Sequence, residues 1–101
     1  MRIPRIIRAD GERWKVLKKD NGLESDYLGR TFPHCHEIIL NTDAEGIDAT
    51  FLHELGHVVN NNRALKLTEE QISSFTSGLY AVIVDNKLDF RNSTKAKKNN
   101  R

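Results

Sequence analysis

The chain has one cysteine, Cys35, in 101 residues. A single thiol cannot close an internal disulfide, so the fold must stand without covalent cross-links, as suits a reducing compartment. Long apolar runs are missing too: none approaches the roughly 20 residues that a membrane-spanning helix needs. Residues 1–8 are interrupted by Arg2, Arg5 and Arg8 and so provide no apolar segment of a secretory leader. Nor is there an excess of one charge. The balance of 16 Lys and Arg against 14 Asp and Glu leaves a formal net charge of +2, which asks for neither nucleic acid nor a membrane surface. The expectation is a cytoplasmic protein of one domain, with a real but thin core and no room for a second catalytic module.

Against these absences, one stretch carries chemistry. Phe51-Leu52-His53-Glu54-Leu55-Gly56-His57 contains the pattern H-E-x-x-H. Residues four apart share a helix face, so His53 and His57 can offer two imidazole nitrogens to one tetrahedral ion. Glu54 sits one step round the helix, beside such an ion rather than on it. A carboxylate there can hold and deprotonate a water, as in zinc peptidases. By average residue usage the pattern arises by accident in roughly one chain of this length in a few hundred, so its surroundings decide its weight. At about 100° per residue, Ile47, Phe51, Leu55 and Val58 form one side of the helix, with Val59 at its edge. Ala49, Thr50, His53, Gly56, His57 and Asn60 form the other. The histidines thus point away from the most apolar stripe, and Ala49 and Gly56 beside them are small enough to admit another backbone. Two incidental surface histidines are the competing reading.

Residues 5–9 and 13–17 are short apolar runs on either side of Asp10-Gly11-Glu12, a hairpin signal because glycine accepts positive φ at little cost. Trp14, Val16 and Leu17 are its expected buried contacts. Lys18-Lys19-Asp20-Asn21-Gly22 breaks the pattern, and the segment through Gly29 reads as a loop or a short helical turn. Ile38, Ile39 and Leu40 form a strand core, while Pro33 marks the stretch before them as an edge or a loop. His34, Cys35 and His36 look like metal ligands, yet along a strand His34 and His36 share a face that Cys35 does not. They read instead as a polar edge near the cleft, open to a substrate contact.

Thr42 with Glu45 has the form of a capped helix start, and the motif helix should follow it and run to about Asn60, where Asn60-Asn61-Asn62-Arg63 stops it. Thr68 with Gln71 repeats the capping signature. It opens a second helix that carries Ile72, Phe75, Leu79, Val82 and Ile83 on one side and ends near Asp85. Ser73, Ser77 and Gly78 give that helix a face of small residues against which another helix can lie. Residues 1–90 are assigned to the domain. Residues 91–101, with Ala96 as their one apolar residue, are expected to form a mobile basic tail, whose pull on nucleic acid is weak without interleaved aromatics.

Two histidines are too few for a stable zinc site, and on the second helix only Glu69 and Glu70 precede Asp85 as ligand types. With Glu70 at zero on the helical wheel, the apolar stripe centres roughly 170° away, whereas Glu69 lies about 90° from it and is better placed to reach inward. First-turn acids also complement a helix dipole while binding nothing.

The segments Thr50-Phe51-Leu52-His53-Glu54-Leu55-Gly56-His57, Leu67-Thr68-Glu69-Glu70-Gln71-Ile72, Gly78-Leu79-Tyr80 and Asp85-Asn86 follow the strand Ile38-Ile39-Leu40. Together they resemble the small phage- and prophage-encoded zinc metallopeptidases of the ImmA/IrrE type and, more broadly, the gluzincins, over about half of the chain. The resemblance implies His53 and His57 as zinc ligands, Glu54 as general base and a glutamate of the following helix as third ligand. Motif matching carries that last role to Glu69 rather than Glu70. A protein substrate is implied as well, a repressor or another phage or host protein, in the cytoplasm of a bacterial host.

The expected fold is α+β, a short antiparallel sheet packed on two main helices with zinc between them, as a minimal zincin-like domain. The strand at residues 38–40 would be the rim on which an extended peptide pairs. The expected function is that of a zinc metalloendopeptidase. The alternative is a catalytically inactive, zinc-stabilised protein-binding module. Tyr27, His36 and Tyr80 are the candidates for stabilising an oxyanion.

Overall fold

Asp10 and Gly11 both take positive φ, 52° and 83°, in the computed structural model, which describes residues 3–19, 28–41 and 46–88. Two successive residues of this kind make a tight turn whose twist matches the flanking strands. Strand β1 (Ile6–Ala9) therefore folds back antiparallel on β2 (Glu12–Lys19), as the sequence suggests. Along β2, Trp14 and Val16 alternate inward and are buried, and Leu17 is half-buried. Strands β3 (Gly29–Phe32) and β4 (Glu37–Asn41) form a second antiparallel hairpin.

The sheet is mixed, not antiparallel as expected. Its order is β1-β2-β4-β3, and β4 runs parallel to β2 at the centre. Lys19 is level with Asn41, and Leu40 with Gly29, so β3 starts at the end of the sheet where β2 finishes. The chain runs down β3 on the outside and returns along β4. This order gives the centre to the strand with fully buried Ile38 and Leu40 and leaves the edge to β3, with its glycine and arginine. It also removes the rim role from residues 38–40, because both edges of β4 are occupied. Among the described residues the free edge on that side belongs to β3.

His34, Cys35 and His36 are not on a strand. They belong to the turn between β3 and β4, and His36 adopts φ 53°. The His36 ring stacks on Trp14 at 4.8 Å, and its Nε2 lies 3.8 Å from Glu12.

Helix α1 (Ile47–Arg63) follows Gly46 at φ 71°. The start expected at Thr42 and Glu45 lies outside the described residues. The asparagine run does not stop the helix, which continues to Arg63 and ends at Ala64 with φ 50°. These side chains find partners across the chain instead of competing with the helix ladder. Asn60 Oδ1 accepts from the Leu67 amide at 2.9 Å, Asn62 donates to the Ala9 carbonyl at 3.4 Å, and Arg63 donates to Asp10 at 2.6 Å. The hydrogen bond and charge of Asp10 raise the Arg63 pKa further. Phe51 and Val58 of α1 close the core on Trp14, Val16, Ile38 and Leu40, each fully buried side chain contributing about 1.5–3 kcal/mol.

Helix α2 (Glu69–Asp85) begins with the expected capping box of Thr68 and Gln71. Among the described residues it packs on α1 alone and buries only Ile72 and Thr76. The expected apolar side is largely open, with Phe75 70% and Val82 50% exposed. Gly78 has open space around it, so it is no part of the helix contact. The contact is made at Gly56, where Ile72 and Thr76 occupy the place of a side chain. No helix among the described residues is long and apolar enough to cross a membrane. The boundary at residue 90 and the tail lie outside the described residues.

Substitution Gly56→Ala would place its Cβ 2.8 Å from Thr76 Cγ2 and 3.0 Å from Ile72 Cγ2. The gain in helix propensity is about 1 kcal/mol, and overpacking costs about 1–3 kcal/mol. Gly56→Ala should therefore lower the Tm, and Thr76→Ser, which deletes the nearer methyl, should recover part of the loss in that background. Thermal unfolding of the three proteins checks this, and a Gly56→Ala variant more stable than the parent, with no effect of Thr76→Ser in its background, would show that the helices do not meet here.

Candidate metal centre

The four-residue spacing of His53 and His57, with Gly56 between them, turns both imidazoles toward α2. The capping box at Thr68 fixes the first turn of α2 and so presents Glu69, its first residue. Glu69 Oε2 lies 2.8 Å from His53 Nε2, and Glu69 Oε1 lies 2.9 Å from His57 Nε2. The two Nε2 atoms are 3.2 Å apart. His53, His57 and Glu69 form the one group of potential metal ligands among the described residues.

Each Nε2 thus lies within reach of a Glu69 oxygen and of the other ring. A neutral imidazole carries at most one proton on Nε2. If both rings direct it at Glu69, the two nitrogens face each other as donors at 3.2 Å. One cation can take a donor from each of the three residues at once, and donors about 2.0–2.1 Å from a tetrahedral zinc stand roughly 3.3 Å apart. Two imidazoles and a carboxylate are also the donor types that zinc takes. The residues therefore fit such an ion. The Glu69 side chain is 64% exposed, against 22% for His53, so the site opens to solvent on the α2 side. Ser73 Oγ donates to Glu69 Oε2 at 3.3 Å and adds a second hold on it.

Glu54 is different from these three. It is buried at 5% exposure and accepts a hydrogen bond on Oε1 from Thr31 Oγ1 at 2.7 Å. With His53, His57, Glu69, Arg30 and Thr31 it lines a cavity of about 410 Å³. A second cavity of about 400 Å³ shares Gly29, His53 and Glu54 and extends past Thr50 and Ser77 to Tyr80. Gly29 lets β3 approach α1 this closely, since a Cβ there would stand 2.8 Å from Thr50 Cγ2.

Comparison of the chain with known protein families, curated proteins and solved structures found no match in any of the three. The site is therefore read on its own geometry.

That geometry brings His53, Glu54, His57 and Glu69 to one cavity, whereas Glu70 is exposed and makes no contact with the histidines. Of the three oxyanion candidates, Tyr80 shares a cavity wall with His53 and Glu54. His36 lines a separate polar cavity with Asp10 and Glu12, and Tyr27 lies outside the described residues. His34 and Cys35 line neither cavity at the motif helix. Sequence reasoning missed Gly29 and Thr31. The signal was the period of two: on a strand they share one face, with Arg30 on the other.

Purified protein reconstituted with zinc and desalted should retain one ion per chain by elemental analysis. Glu69→Ala should lower that content and weaken zinc in competition with a chromogenic chelator, because two histidines leave the ion underbound. Glu70→Ala should leave both unchanged. The reverse ranking would mean that α2 is rotated by one residue.

Proposed function

We propose that this chain is a zinc-dependent metallopeptidase that hydrolyses peptide bonds of a protein segment, built as a minimal zincin-like domain of the ImmA/IrrE type. The observation that carries the reading is Glu54, a buried carboxylate outside the ligand triangle that lines the same cavity. Burying a carboxylate costs several kcal/mol of hydration. A site that served only to stiffen the fold would have no use for it.

His53, His57 and Glu69 would hold the ion. Zinc, when bound, supplies Lewis acidity toward the scissile carbonyl and makes a neighbouring water more acidic. Glu54 accepts the proton of the water that attacks the carbonyl carbon. It then gives that proton to the amide nitrogen as the C–N bond breaks, leaving a carboxylic acid, which ionises to solvent, and an amine. The edge of β3, unpaired among the described residues, offers backbone donors and acceptors to which an extended peptide can add as a further strand. Tyr80, which lines the second cavity with His53 and Glu54, is the candidate for the oxyanion. The proposed setting, a phage or host protein cut in the cytoplasm of a bacterial host, rests on the resemblance of the motif residues.

One observation favours a second reading, a zinc-stabilised binding module without turnover. Helix α2 packs on α1 alone and buries two residues, so an ion shared by both helices would contribute much of what holds α2. Incubating the zinc-loaded protein with an unfolded protein substrate, with and without a chelator, separates the two readings.

Glu54→Gln should retain zinc and the parent Tm while its hydrolysis rate falls about 10²–10⁴-fold, the usual loss for a general base. Cleavage by this variant at the parent rate would refute the peptidase reading. Loss of zinc from it would put Glu54 among the ligands.

A further inference from the structure

We propose that Thr31 is the positioning residue for Glu54, an assignment that rests on the peptidase reading and deepens it. Thr31 Oγ1 donates to Glu54 Oε1 at 2.7 Å. Its other acceptor is the main-chain oxygen of the same residue at 3.3 Å, which the helix ladder already engages. Both contacts of this hydroxyl therefore go to Glu54. Among the described residues Glu54 has no other side-chain partner. Its second oxygen is not a sealed, unpartnered atom, and Glu54 lines the cavity with His53 and His57.

An acceptor of protons needs one orientation, and the last torsion of a glutamate is broad and roughly two-fold. A hydroxyl fixed on one oxygen selects a single orientation and leaves the other oxygen facing the reacting water. Threonine suits the task because its branched Cβ restricts χ1 and because it sits on a strand rather than a loop. Gly29, on the same face two residues earlier, sets the distance: a Cβ there would come within 3.3 Å of Glu54 Cγ. The bond also offsets the hydration that burial takes from the carboxylate.

Two measurements on the zinc-loaded protein test the assignment. The first is denaturant unfolding of Thr31→Val in the parent and in a Glu54→Met background, which lacks the acceptor at similar volume. Thr31→Val should raise the unfolding constant about tenfold in the parent and less than about twofold in Glu54→Met, as loss of a hydrogen bond to a charged group requires. The second is hydrolysis of an unfolded protein. Here Thr31→Val should lower kcat about 10- to 100-fold with KM and zinc content unchanged, and Thr31→Ser, which keeps the donor, should retain most of kcat. An equal cost of Thr31→Val in both backgrounds overturns the proposal, as does a Thr31→Ser variant as slow as Thr31→Val. If the parent cleaves nothing, the peptidase reading fails separately, and the two backgrounds still decide whether Thr31 holds Glu54.

Discussion

Gly56 leaves out a side chain where α2 meets α1, and Ile72 and Thr76 fill the space. No other helix or strand among the described residues packs on α2, so this contact sets where its first turn stands. On the helical wheel with Glu70 at zero, Ile72, Thr76 and Glu69 lie at about 200°, 240° and 260°. The residues that hold the helix and the residue that meets the histidines thus share one narrow strip. A rotation of α2 by one residue would move the strip by about 100° and break the helix contact and the ligand triangle together.

The sheet side of α1 repeats the device. Gly29 admits the strand to the helix, and Thr31 beyond it reaches the Glu54 carboxylate. One helix therefore carries both imidazoles and the acid between them, while their supports come from opposite neighbours. The histidines are completed from α2 and Glu54 from β3. Disturbing one support leaves the other in place.

What could be read from the residues was local. The Asp10-Gly11 turn, the face of the motif helix and the Thr68 capping box each depend on residues within a few positions of one another, and the structure has all three. Strand order was not accessible, because the parallel pairing of β2 with β4 joins Lys15 to Glu37 across an intervening strand. Thr31 escaped for the same reason, since its partner lies 23 positions away. The apolar stripe of α2 reads as an inward face, but periodicity reports which residues share a side and not whether anything covers it. The expectation of Glu69 rests on its nearness to that stripe, which is open. The strip that meets α1 lies beside it, and Glu69 falls on that strip.

The thinness of the α2 contact sets how the site would come apart. An element that buries two residues against one neighbour opens at a cost well below that of global unfolding, and it opens as a unit. Helix α2 carries one of the three donors and none of the sheet core. Were α2 to open, the histidines would stay on α1 while the carboxylate moved away, so exchange of any bound ion would follow the breathing of a helix and not the rupture of its shortest bond. Amide hydrogens of α2 would then exchange faster than those of α1, and more slowly as the ion ties the two helices together.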